Sequence, residues 1–323
     1  MSKPELSIII PMHGEPQGFL EDTINSIRDT IDVSYELIAV DDCSGIHIDG
    51  VTMLRHKEHK GVGAAFDTGV AEAKSDNIFL MGSDIRFIKN NWASKMIAEL
   101  DAHPKAISAT TCIGLNASDM DINSRRNKSR RNSANILIFH DHRSHPKKDS
   151  RFRNILEAQW LPVYKGQSKE SFEVPCILGA AYGVKKGWYD YIDGWWGHRF
   201  WGTLEPMISL KSWMMGGSCH TTPDIETGHV FKPSGTHGTT HTHLMYNKIM
   251  TAHLLFDEYD AARLVKFLGN NPAVDAGKQM FSKVDIRKKR EEYKKKIVYD
   301  IRSYCKRFSV DFREELVHEE AHP

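Results

Sequence analysis

The chain has 323 residues, with 43 basic and 42 acidic side chains and a formal net charge of +1. That length allows one large domain or two small ones, and the even charge excludes a global field toward nucleic acid or membrane. The five cysteines (Cys43, Cys112, Cys176, Cys219, Cys305) are odd in number and never spaced C-x-x-C, which excludes a disulfide framework and points to a reducing, cytoplasmic compartment.

The N-terminal apolar run around Ile8 to Ile10 is too short for a signal segment or a membrane span, so no membrane partner is expected. Leu6 to Pro11 reads as a fully buried parallel strand, and Leu20, Ile24, Ile27 and Ile31 follow at helical spacing. Tyr35 to Val40 predicts a second strand ending at Asp41-Asp42, Gly61 to Lys74 a helix of small residues, and Asn77 to Met81 a third strand. The first ~110 residues thus predict a βαβαβ half-sheet. Ligands of such sheets sit beyond the carboxyl ends of the strands, so His13, Asp41, Asp42 and Asp84 are expected to gather at one edge.

Between Ser124 and Arg153 ten lysines and arginines face only Asp141 and Asp149, a basic insertion that reads equally as a solvated loop or as a surface for an anionic partner. The block from Trp195 to Lys232 is crowded with tryptophan and glycine, and one histidine, His229, sits in an apolar strand. Trp195, Trp196 and Trp201 can stack on a sugar or acceptor ring, or pack in the core. Glu205 reads as a helix-start carboxylate or as a site acid. The segment KPSGTHGTTHTHLMYN carries His237, His241 and His243 without a cysteine partner or an H-x3-H helix. It suits a lid, with Lys232 reaching a diphosphate, better than a zinc site. In KVDIRKKREEYKKKIVYDIRSYCKRF, the residues Val284, Ile297, Ile301 and Tyr304 form a thin apolar stripe. A docked surface helix is expected, with polyanion binding along its basic face as the sharper alternative.

SIIIPMHGE, VDDCS and IFLMGSDIRF resemble the nucleotide-sugar-binding half of GT-A glycosyltransferases. Trp201-Gly202, Ile208-Ser209, Trp213, Gly216-Gly217, Gly228-His229-Val230-Phe231, Asn247, Ala252 and Asp257-Glu258-Tyr259 keep the order and spacing of the polypeptide N-acetylgalactosaminyltransferases. The likeness runs from about residue 5 to 260.

The resemblance implies an α/β GT-A fold, with a mixed, mostly parallel central sheet flanked by helices. It implies a catalytic domain over 1–260, made of a nucleotide-binding half (1–115), the basic insertion (116–155) and an acceptor and metal half with a lid (156–260). A basic helical extension over 261–323 would follow. The implied donor is a UDP-sugar and the implied cofactor Mn2+ or Mg2+, held by Asp84 and His229. Asp41 and Asp42 would contact base and ribose, His13 and Glu15 would flank the nucleotide, and Gly61 and Gly63 would let the backbone approach it. The family's first metal-element acid is Gly82 here, and its two later acids fall at Leu204 and Met207. Glu205 is therefore the candidate catalytic acid, a base in inverting transfer or a sugar-positioning group in the retaining transfer that the resemblance implies.

The expected activity is transfer of a sugar from a UDP-sugar to a hydroxyl of a macromolecule. The basic insertion and basic terminal helix direct that expectation toward DNA, for instance a hydroxymethylated base in a phage genome. A protein or glycan acceptor and a non-catalytic sugar-nucleotide-binding protein stay open, as does the oligomeric state.

Overall fold

The computed structural model describes residues 3–115, 127, 131–138, 155–163, 167–230 and 240–310. The first half contains β1 (Leu6–Met12), α1 (Gln17–Thr30), β2 (Tyr35–Asp41), β3 (Thr52–Arg55), α2 (Val62–Glu72), β4 (Asn77–Met81), β5 (Ile85–Phe87), α3 (Trp92–Ala102) and β6 (Ala106–Leu115). All seven residues of β1 and all ten of β6 are buried, because helices cover both faces of the sheet and leave no solvated side to alternate with. In α1, Leu20, Ile24 and Ile27 are buried against the sheet, as their spacing requires.

The second half contains β7 (Arg131–Ile138), β8 (Glu157–Pro162), β9 (Phe172–Glu173), β10 (Ala181–Lys185), α4 (Lys186–Ile192), α5 (Leu204–Met214), β11 (Ser218–Val230) and α6 (His241–Leu255). The central strand order is β3-β2-β1-β4-β10-β6-β11-β5. The left half is parallel, β10 runs antiparallel to β4 and β6, β11 is parallel to β6, and β5 antiparallel to β11. This is the mixed α/β sheet expected. The half-sheet reading missed β3, whose four residues follow β2 without an intervening helix and are not buried.

Most of the basic insertion lies outside the described residues. Its described part is not a solvated loop: β7 pairs with β8 and β6, and Arg131 is bound to Glu226 at 3.0 Å.

The chain continues in helices across residue 260. Helix α7 (Glu258–Phe267) runs through it, followed by α8 (Pro272–Ser282), α9 (Arg287–Lys296) and α10 (Ile301–Arg307), all packed on the same core. Tyr293 of α9 is fully buried and donates its hydroxyl to Asp193 at 3.0 Å. Ile301 and Tyr304 are buried, and Val284 and Ile297 pack against them at the core edge. The basic face is partly spent on the protein itself. Lys289 pairs with Asp193 at 3.0 Å, Lys296 donates to the Tyr191 carbonyl at 2.6 Å, and Arg302 pairs with Asp260 at 3.2 Å. Among the described residues no helix is long and apolar enough to cross a membrane.

If the terminal helices are part of one cooperative unit, Tyr293→Ala lowers the stability of the whole chain by about 3–5 kcal/mol. Denaturant unfolding followed by tryptophan fluorescence measures this. An unchanged main transition, with a separate early one, would mark the extension as an independent unit.

Candidate active site

Beyond the carboxyl ends of β1, β2 and β4 lies a cavity of about 500 Å³, whose lining includes His13, Asp42, Ser83, Asp84, Glu205 and His229. The expected strand-end convergence is present for His13, Asp42 and Asp84. Its far wall comes from β11, brought in by non-local pairing.

Asp84 directly precedes β5, and β5 pairs with the end of β11 in a register that sets Ile85 opposite His229. The Val230 N–H closes the junction on the Asp84 carbonyl at 2.9 Å. His229 Nε2 consequently stands 3.6 Å from Asp84 Oδ2, with both side chains partly open to the cavity. Two ligand atoms that share one divalent ion at about 2.1 Å stand roughly 3–4 Å apart, so this oxygen and nitrogen fit a metal between them. The absence of an acid at position 82 has a local counterpart. A Cβ at Gly82 would stand 2.6 Å from Asp84 Oδ1, so the Asp84 carboxylate fills the space over that residue.

The two aspartates at the end of β2 have different surroundings. Asp41 is fully buried and outside the cavity lining. Its oxygens accept from the Ser44 amide and hydroxyl (2.8 and 2.5 Å), the Gly45 amide (2.9 Å) and Arg55 Nε (2.7 Å). Burial pulls its carboxyl up, but these donors outweigh it and hold the group below the ordinary range. Asp41 thus organises the loop that follows β2. Asp42 reaches the cavity wall, yet its oxygens already accept from His56 Nδ1 (2.7 Å) and the amides of Lys60 (2.9 Å) and Gly61 (2.6 Å). His59 Nδ1 lies 2.7 Å away as well. Burial again raises the group, and the Lys60, His56 and Gly61 donors bring it below the usual value. His13, Asp42 and His59 form a second group on the cavity wall whose ligand atoms could together surround an ion.

Glu15 bridges two loops: its carboxylate accepts from the His13 amide at 2.6 Å and from the Ser83 hydroxyl at 2.9 Å. It thereby ties the end of β1 to the turn that carries Asp84. Both glycines are closely approached by other parts of the protein. At Gly61, with φ +95°, a Cβ would meet the Phe200 backbone at 2.1 Å, and one at Gly63 would lie 2.9 Å from Trp195. Gly61 lines the cavity, and Gly63 does not.

The tryptophans separate. Trp195 is buried, stacks on Phe66 at 5.1 Å and donates its indole N–H to the Leu204 carbonyl, so it belongs to the core. Trp196 lies under the Lys289 ammonium. Only Trp201 of the three lines the cavity, 47% exposed at its mouth. The loop that presents it is latched by Asn247, which accepts from the Arg199 amide (2.9 Å) and donates to the carbonyls of Arg199 (2.9 Å) and Gly202 (3.0 Å). Lys232 and its proposed lid lie outside the described residues.

Glu205, in the first turn of α5, enters the cavity wall over Gly179, where a Cβ would collide with Glu205 Oε1. Burial raises its carboxyl, and nearby Glu157 adds to the rise. Glu157 is itself a wall residue, bound to the buried Lys248 at 2.5 Å. Sequence reasoning missed Glu157, along with His59 and Trp160. Neither EAQWLP around Glu157 and Trp160 nor KEHKG around His59 carries a periodic pattern that marks them.

A carboxyl raised in the folded state contributes stability below its unfolded pKa and loses that contribution as pH rises through its folded pKa. Glu205→Gln cannot ionise. Its melting temperature is therefore expected to gain on the wild type as pH rises from about 4 to 8. A pH-independent difference in thermal denaturation would contradict a desolvated carboxyl.

A protein-family model described as Glycosyl transferase family 2 matches residues 7–158. Human polypeptide N-acetylgalactosaminyltransferase 14 is 24% identical over 283 residues, 79% of this chain and 46% of that protein. Rat polypeptide N-acetylgalactosaminyltransferase 10 is 22% identical over 244 residues, 71% of this chain and 38% of that protein. The chain therefore spans less than half the length of these curated relatives. A crystal structure of GalNAc-T7 with UDP, GalNAc and Mn2+ superposes with a TM-score of 0.69 at 14% identity, over 95% of this chain and 56% of that one. The fold is that of a GT-A glycosyltransferase, and the chain is similar to the polypeptide N-acetylgalactosaminyltransferases.

Proposed function

We propose that the protein is a metal-dependent glycosyltransferase that moves a sugar from a UDP-sugar to a hydroxyl of a macromolecular acceptor. The observation that carries this reading is the approach of Asp84 and His229 to 3.6 Å at the edge of a cavity of about 500 Å³ beyond the strand ends. In this reading Asp84 and His229 hold the ion, which when present as Mn2+ or Mg2+ neutralises the charge of the leaving diphosphate. The similar GalNAc-T7 structure, described with UDP, GalNAc and Mn2+, supports both donor and ion.

The chain's own groups then orient the reactants. His13 and Asp42 border the nucleotide end of the cavity, with Glu15 fixing the loop between them and Asp84. Glu205, kept from ionising readily by burial, receives sugar hydroxyls. In a retaining transfer, the acceptor proton passes to the leaving phosphate oxygen on the same face, and no protein base is required. Trp201 offers an aromatic face at the mouth, where an acceptor approaches.

A polypeptide hydroxyl is the favoured acceptor. The curated relatives are named for polypeptide transfer, and two of the basic side chains that would suit DNA are engaged internally, Lys289 by Asp193 and Arg131 by Glu226.

The decisive assay supplies a panel of UDP-sugars with Mn2+, and peptides or hydroxymethylated DNA as acceptors, scored by mass increment. Transfer to peptide is expected, with loss of activity in chelator. Asp84→Asn and His229→Ala are each expected to lower kcat/KM by roughly 10²-fold or more. Salt-sensitive transfer to DNA would move the acceptor to nucleic acid. No turnover and no UDP release under any condition would leave a sugar-nucleotide-binding protein in place of an enzyme.

A further inference from the structure

A second cluster of metal-binding side chains lies outside the cavity, where α3 meets the start of β11. Glu99 occupies the last turn of α3 and His103 its C-cap, four residues on, so both fall on one face of the helix end. His220 comes from β11, nine positions before His229 in the same strand. His220 Nδ1 is 2.9 Å from Glu99 Oε1, and the His103 and His220 rings meet with centroids 4.3 Å apart. One ligand atom from each of the three lies within 4.8 Å of the others.

A buried histidine and carboxylate pair would account for His220 and Glu99 alone. It leaves the converging His103 imidazole unexplained. The surroundings match a supported coordination site. The second nitrogen of His220 lies 3.1 Å from the Ser218 hydroxyl, which fixes the ring, and the Ser171 hydroxyl donates to Glu99 at 2.7 Å. His103 is exposed and Glu99 borders an open depression, so an ion has a path in.

We propose that Glu99, His103 and His220 form a site for a zinc-class divalent ion that clamps the end of α3 to the start of β11. Two imidazoles and one carboxylate are a donor set suited to Zn2+, with water completing a tetrahedron. A 2.9 Å separation of His220 Nδ1 and Glu99 Oε1 fits two ligands on one ion at about 2.0–2.2 Å. Binding replaces the proton these two atoms share, which leaves to solvent, so affinity falls in acid.

The test uses the full chain, stripped with chelator and titrated with Zn2+ by calorimetry and with Co2+ by visible absorption. Zn2+ is expected to raise the melting temperature in the wild type and in Asp84→Asn. His103→Ala, a change at an exposed position, is expected to weaken Zn2+ binding at least tenfold and to remove the Co2+ band and the melting shift. Unaltered Zn2+ affinity and melting shift in His103→Ala would overturn the proposal. So would a Co2+ band that disappears in Asp84→Asn and persists in His103→Ala. Both readouts are independent of glycosyl transfer, so they stand or fall apart from the proposed activity.

Discussion

The pairing of β11 with β6 on one side and β5 on the other determines where the chemistry can be. His229 is the penultimate residue of a 13-residue strand whose register with β6 shifts between Thr222 and Glu226, and only after that irregularity does it come level with Ile85. Without the shift, alternation would send a different side chain toward Asp84. The bulge is thus a placement device: it lets one strand satisfy the core along its first half and aim an imidazole at the cavity in its second.

The cavity is held open by contacts that no ligand makes. The Phe200 backbone forms a bridge with Gly61, its carbonyl accepts from the Val62 amide at 3.0 Å, and its amide donates to the Lys60 carbonyl at 3.2 Å. His198, in the same loop, is driven down to about 4 by burial and so stays neutral against the Gly202 carbonyl. A charged imidazole at that depth would cost more than the loop can return. Wall and mouth are therefore held by a polar network in which Asn247 alone binds several backbone groups of the 199–202 loop.

Much of the fold was legible because β1, β2 and β4 are continuous apolar runs and α1 repeats its apolar residues with helical spacing. Strand β3 was not, since TMLR is short and sits at the sheet edge. In the site, Asp84 and His229 could be named from strand-end position and from the resemblance. The fates of Asp41 and Asp42 could not, because their partners are largely backbone amides and ring nitrogens 3 to 19 residues away. Three tryptophans within seven residues look alike in one dimension. Only the packing of Phe66 against Trp195 separates a core ring from the one at the mouth.

A run of rings crosses this molecule from His13 to His59 (3.9 Å), on to Phe200 (5.0 Å) and then to His243 (3.9 Å) on α6. Its members touch the Asp42 loop at one end and the helix after the 231–239 segment at the other, with Trp201 attached through Phe200. The Asp42 side and the Trp201 side of the cavity are in this sense the two arms of a single lever. Substitutions made separately on the two arms should not act independently. Their combined effect should depart from the sum of the single ones, as it does for groups in direct contact.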